Sequence, residues 1–131
     1  MGKAIIMHID EAPFLYGGPT PKGGPRQKGG RLIGDLEKGP WIHCNTLEAG
    51  MEVAPHSHSF DEVMFIIEGE FRMGNRVCRP GTVLFFPAGT QYGFKVGPEG
   101  VRFLNVRRGR ATITTGGKTW DPYREPTPVP S

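Results

Sequence analysis

The sequence predicts an all-β domain, and three features carry that reading. Twenty glycines and thirteen prolines interrupt the 131 residues so often that no long helical period develops. β-branched and aromatic residues collect in short runs between these breaks. The runs recur at the spacing of a sandwich or small barrel. Length supports one core, since a chain of this size buries roughly two-thirds of the surface its unfolded form exposes.

In chain order, strands are expected at residues 4–9, 31–36, 41–47, 62–68, 71–73, 76–78, 83–86, 92–96, 101–106 and 111–115. Gly74-Asn75 has the composition of a two-residue hairpin turn, Arg79-Pro80-Gly81 that of a reversal, and Gly97-Pro98-Glu99-Gly100 that of a longer hairpin loop. Links this short make neighbouring strands antiparallel. Residues 17–30 combine six glycines and three prolines with Lys22, Arg26 and Lys28 and hold no acidic residue. They are expected to form a flexible basic loop in preference to a substrate lid. From residue 122 the chain is proline-rich and expected to be extended, with Trp120 and Tyr123 available to pin it. One structural domain is expected in three stretches: N-terminal strands and the basic loop over 1–40, the barrel over 41–115, and the tail over 116–131.

Charge and composition narrow the function. The formal net charge is +3, but the basic residues are scattered through turns and strand ends, which disfavours a nucleic-acid binder. Two cysteines, Cys44 and Cys78, cannot build a disulfide framework, and no basic segment followed by a long apolar stretch opens the sequence. A cytoplasmic protein is expected. Residues 63–67 and 83–86 are the longest apolar runs, far short of the roughly 20 residues that a membrane helix needs.

The chemistry-bearing residues are His56, His58 and Glu62. His56 and His58 are two apart, so on an extended strand their imidazoles leave the same face. Glu62 opens the alternating segment Glu62, Met64, Ile66, Glu68, and Ser59-Phe60-Asp61 can turn the chain so that the carboxylate returns beside the histidines. Imidazole and carboxylate suit iron, manganese, nickel, cobalt and zinc, and two nitrogens with one oxygen leave positions open for water or substrate.

The segment Gly50-Met-Glu-Val-Ala-Pro-His56-Ser-His58-Ser-Phe-Asp-Glu62-Val-Met-Phe-Ile-Ile-Glu-Gly69 resembles the first cupin motif at every defining position. Gly81-Thr-Val-Leu-Phe-Phe-Pro87-Ala-Gly89-Thr-Gln-Tyr92 is similar to the second motif in its Gly, Pro and Gly positions. The resemblance, which covers roughly residues 50 to 96, implies a double-stranded β-helix (jelly-roll-like) barrel with a central metal. It also implies a homodimer in which N-terminal strands extend a neighbour's sheet. Tyr92 stands where the family usually has a third histidine ligand, and Val96 where it has an asparagine. By that alignment Tyr92 points into the barrel, where its phenol could ligate, move a proton or orient a substrate. Gln91 is an alternative ligand through its amide oxygen, although the parity of neighbouring strand positions favours Tyr92.

Further positions are weaker. His43 is in phase with Trp41 and Asn45 and is a candidate pocket residue, with ordinary packing the competing account; His8 carries no motif. Cys44, of opposite phase to His43, is expected to be a buried apolar side chain and not a nucleophile. Met64, Phe85, Phe94 and Phe103 are expected to form core or pocket wall.

Cupins include oxygenases, isomerases, lyases, cyclases and binding proteins, so fold does not choose the activity. The favoured expectation is a non-haem Fe(II) oxygenase acting on a small molecule, with one divalent metal per chain. Iron is favoured over zinc, manganese, nickel or cobalt because two histidines and a carboxylate on one face are its oxygenase ligand set. The alternatives are a redox-neutral metal-dependent lyase, isomerase or cyclase, and a binding module without turnover.

Overall fold

A computed structural model describes residues 4–17, 27–35, 38–109 and 112–120. Its strands are β1 (Phe14–Gly17), β2 (Gln27–Asp35), β3 (Lys38–Leu47), β4 (Glu52–His58), β5 (Glu62–Met73), β6 (Arg76–Cys78), β7 (Val83–Phe86), β8 (Tyr92–Arg107), β9 (Ile113–Thr115) and β10 (Lys118–Trp120). The expected all-β class is what the described residues show.

β8 organises the sheet. Its first half pairs with β4, placing Phe94 opposite Val53 and Tyr92 opposite His56. Its second half lies between β3 and β5, with Arg107 facing Trp41 on one side and Glu62 on the other. From this hub the path runs β1-β2-β3-β8-β4-β9-β10, while β5 branches off and carries β6 and β7. All these pairings are antiparallel, and they curl the sheet into a half-barrel.

Several expectations held to the residue, including strands 76–78 and 83–86 and the Gly74-Asn75 hairpin between β5 and β6. Others change. The expected strand over 4–9 is irregular to His8 and then a 3-10 turn over Ile9–Glu11. The His8 Nδ1 accepts the Asp10 N–H at 3.1 Å, and Asp10 is pinned by Arg102 at 2.6 Å, so side-chain bonds hold the segment instead of a sheet ladder. β1 was not anticipated, and its last residue and the first four of β2 fall where a loop was expected over 17–30; residues 18–26 of that loop lie outside the described residues. So do residues 121–131, including Tyr123.

Gly97-Pro98-Glu99-Gly100 is not a hairpin. Val96 and Val101 face Phe71 and Gly69 of the same strand, so the chain keeps its direction and these four residues bulge outward. A Cβ on Gly69 would lie 1.9 Å from the Gly100 carbonyl oxygen, which explains a glycine at the end of the first motif. β10 was not anticipated, although Gly116-Gly117, both at positive φ, is a strong hairpin signal.

The apolar core is Leu47, Met64, Ile66, Phe71, Cys78, Phe86, Tyr92, Phe94, Val96, Val101 and Phe103; it gathers toward one end of the half-barrel, with Phe86 and Tyr92 at its border with Glu62. Phe71 stacks on Phe94 with centroids 4.1 Å apart, and Phe103 meets both edge-on. Phe85 corrects the expectation that it is core or pocket wall. It is 60% exposed because strand alternation sends Leu84 and Phe86 inward and Val83 and Phe85 outward. Cys44 is buried as expected, and burial raises its thiol pKa.

Phe71→Ala is expected to lower the unfolding free energy by about 3–5 kcal/mol in urea titrations. Val77→Ser, at an exposed position of β6, is expected to change it by less than about 0.5 kcal/mol.

Candidate functional site

The buried polar side chains cluster at the other end: His43, Asn45, Ser57, His58, Glu62, Asn105 and Arg107. All but Ser57, which leaves β4 on the face opposite its neighbour His58, arrive there by strand parity. β3 turns Trp41, His43 and Asn45 inward, and β8 does the same with Phe103, Asn105 and Arg107. β4 carries His56 and His58 on one face, their rings 4.9 Å apart at 86°. Val53 and His56 line the same cavity although three residues apart, because the irregularity at Ala54-Pro55 shifts the strand's phase. Pro55, with no N–H to contribute, suits that break in the ladder.

Glu62 stands at the start of β5 and is 1% exposed. Its Oε1 accepts the Tyr92 hydroxyl at 2.5 Å, and its Oε2 accepts Arg107 Nε at 2.5 Å and also meets Arg107 Nη2. Arg107 Nη2 lies 3.3 Å from His58 Nε2, and the guanidinium sits 5.3 Å from the centre of the Trp41 ring. Tyr92 stacks on Phe86 at 4.0 Å and lies beside His56 at 4.6 Å.

These contacts fix the histidine tautomers. Arginine only donates, so His58 Nε2 accepts, and its Nδ1 carries the proton and donates to the Thr112 carbonyl at 3.2 Å. His56 Nδ1 likewise donates to the Ala54 carbonyl at 2.9 Å, which leaves the Nε2 lone pair for the cavity that this ring lines. Opposite, Asn45 Nδ2 donates to Asn105 Oδ1 at 3.0 Å.

The cavity holds about 160 Å³. Its polar wall is His43, Asn45, His56, His58, Tyr92, Asn105 and Arg107, and its apolar wall is Leu47, Met51, Val53, Met64, Phe94, Phe103 and Ile113. Sites for drug-sized ligands run to roughly 300–1,000 Å³, so the occupant here is small. A larger groove of about 710 Å³ lies at the far end beside Glu48, Glu68, Glu99 and Arg102. It is a surface feature of the bulge and includes none of the residues of the hydrogen-bonded group just described.

The three expected metal ligands are thus brought to one end of the barrel but not to one point. The histidines are oriented as metal ligands usually are, each with Nδ1 on a backbone carbonyl. Glu62 is not: both its oxygens are engaged by Tyr92 and Arg107. Among the described residues no group of three His, Cys, Asp or Glu side chains is arranged to hold a metal ion. This donor set does not fit a two-histidine, one-carboxylate metal. Tyr92 points inward as expected, Gln91 is exposed in the opposite phase, and His43, Met64 and Phe94 line the cavity. His8 is exposed and remote.

Sequence reasoning missed Arg107, Asn105 and the Thr112 carbonyl. Arg107 carried a weak signal, being in phase with the inward Phe103. Thr112 carried none, because its part depends on β9 lying against β4.

No family model and no curated protein sequence matches the chain. Solved structures do resemble it. A double-stranded β-helix protein from Klebsiella pneumoniae is 24% identical with a TM-score of 0.61, over 86% of this chain and 96% of that one. The polyketide cyclase RemF from Streptomyces resistomycificus is 20% identical with a TM-score of 0.66, over 94% and 91%. KdgF from a Halomonas species is 19% identical with a TM-score of 0.59, over 84% and 96%. At these identities the likeness is one of fold.

His43 and His58 are held neutral. Burial first, then the Arg107 charge, lowers His43 to about 3 and His58 to about 4, with Glu62 opposing the shift at His58. In the unfolded chain both imidazoles titrate near 6.5 and bind protons that the folded chain refuses. Stability is therefore expected to be full above about pH 6.5 and to fall steadily toward about pH 4. Urea midpoints across this range measure it, and His43→Gln should flatten the slope.

Proposed function

We propose that this chain, which has the cupin fold, is a redox-neutral enzyme that moves a proton on a small, largely apolar carbonyl compound, in the manner of a lyase, isomerase or cyclase. The observation that carries the reading is the paired orientation of His56 and Tyr92. His56 presents an Nε2 lone pair to the cavity, and the phenol of Tyr92 beside it is fixed on a buried carboxylate.

In this reading His56 takes the proton from a C–H or O–H made acidic by the carbonyl, and the imidazolium so formed balances the charge of the enolate beside it until the proton is returned to another atom of that enolate. Tyr92, whose own hydrogen is committed to Glu62, accepts a hydrogen bond from a substrate hydroxyl and orients it against His56. The Glu62 and Arg107 charges cancel, and His43 and His58 are neutral, so the cavity favours an uncharged ligand over an anion. Met64, Phe94 and Phe103 enclose the rest of the molecule and keep water from the reacting atoms. A polyketide cyclase among the similar folds is in keeping with this chemistry.

The oxygenase reading needs Glu62 as a metal ligand, and the carboxylate here is shared between Arg107 and Tyr92. The metal-dependent redox-neutral alternative needs the same carboxylate, so the preferred reading is a redox-neutral reaction carried by His56 and Tyr92 themselves. The two are separated by incubating the protein with a panel of small ketones and hydroxyketones in D2O, with and without dioxygen. Solvent deuterium entering the substrate at a rate indifferent to oxygen is expected; oxygen consumed in step with turnover would favour the oxygenase. His56→Ala is expected to abolish exchange, and Tyr92→Phe to lower turnover by about 100-fold with the fold kept.

The chain is also proposed to act as a homodimer. β1 ends the sheet path, and Val63, Phe65, Val83 and Phe85 form exposed cross-strand pairs on the outer face. Light scattering at micromolar concentration should give twice the chain mass, and a monomeric mass throughout would reject the dimer.

A further inference from the structure

The geometry points to Arg107 as the resident cation of this centre, a guanidinium built into the chain in the role that a divalent metal has in a metal-holding barrel. The inference goes beyond the proposed reaction, since it stands whether the bound molecule is turned over or only held.

A metal on His58 would need its Nε2 lone pair at roughly 2.0–2.1 Å. That lone pair is engaged by Arg107 Nη2 at 3.3 Å. A metal on Glu62 would need a carboxylate oxygen, and Oε2 is held by Nε and Nη2 of the same guanidinium while Oε1 holds the Tyr92 hydroxyl. One planar group thus meets the two side chains that a metal would have to bridge. Its charge is permanent, so no change of pH within the folded range removes it.

The surroundings are built for a guanidinium. The Trp41 ring lies 5.3 Å from its central carbon, and the residue is 4% exposed between β3 and β5. The neutral His58, with Nδ1 on Thr112, is the acceptor that Nη2 requires. The Nδ1 anchoring of His58, which by itself also suits a metal ligand, therefore has a partner within the chain.

The test is a cobalt and zinc titration of chelator-treated protein, followed by calorimetry and the visible spectrum of bound Co2+. Wild type is expected to leave metal-replete cells with well under one metal per chain and to bind Co2+ weakly. Arg107→Met frees Glu62 and His58 and is expected to bind Co2+ about tenfold tighter or more. Adding His58→Ala should remove the gain. Should Arg107→Met fail to fold with Glu62 unpaired, Arg107→Met/Glu62→Gln still releases His58 beside His56 and should bind Co2+ more tightly than wild type. Stoichiometric metal in the wild-type protein, or variants that bind no tighter than wild type, would overturn the assignment. Oxygen-independent exchange in the proton-transfer assay is read separately, so either proposal can fail alone.

Discussion

The buried pair of Glu62 and Arg107 is the constraint on which the rest of the site depends. Two charges at 1% and 4% exposure are costly to take out of water unless geometry and further hydrogen bonds compensate. Here the contact is two-pronged, the carboxylate's other oxygen takes the Tyr92 hydroxyl, and the guanidinium finds His58 and the face of Trp41. Because Glu62 and Arg107 are direct cross-strand partners, the pair also marks the register of β5 on β8. A slip by one residue would turn one charge outward and leave the other buried alone.

From this pair the molecule divides along its length. Phe71, Phe94, Val96, Val101 and Phe103 make a dry end whose packing needs nothing beyond apolar volume. The Asn45 and Asn105 amides cross the middle, bonded to each other. Beyond them polar side chains predominate, and His56 and His58 are each oriented by a backbone carbonyl at Nδ1. A ligand in the cavity meets an apolar wall and a polar wall together, an arrangement that orients a small molecule without relying on charge.

The same fold accommodates unrelated activities, as a polyketide cyclase among the similar structures illustrates. In this chain the polar end is filled by its own side chains. Tyr92 replaces the histidine that its motif leads one to expect, and Arg107 meets the carboxylate that remains. Tyr92 and Arg107 act on the same group, Glu62, at its two oxygens.

The sequence by itself determined the β class, most strand positions in the middle of the chain, and the common face of His56 and His58. Each is local: glycine and proline exclude long helices, and a two-residue spacing on a strand has one outcome. It also led to Tyr92 pointing inward, through motif parity. Tertiary structure decided what the sequence left open. Whether Gly97-Pro98-Glu99-Gly100 turns the chain or bulges depended on both flanks finding the same partner strand, a choice made by pairing and not by the four residues. Arg107 lies 45 residues from Glu62 in sequence, and only the register of β5 on β8 brings them together. Nothing local in the sequence ties the Glu62 carboxylate to that guanidinium, because the pairing exists only through the alignment of two strands distant in the chain.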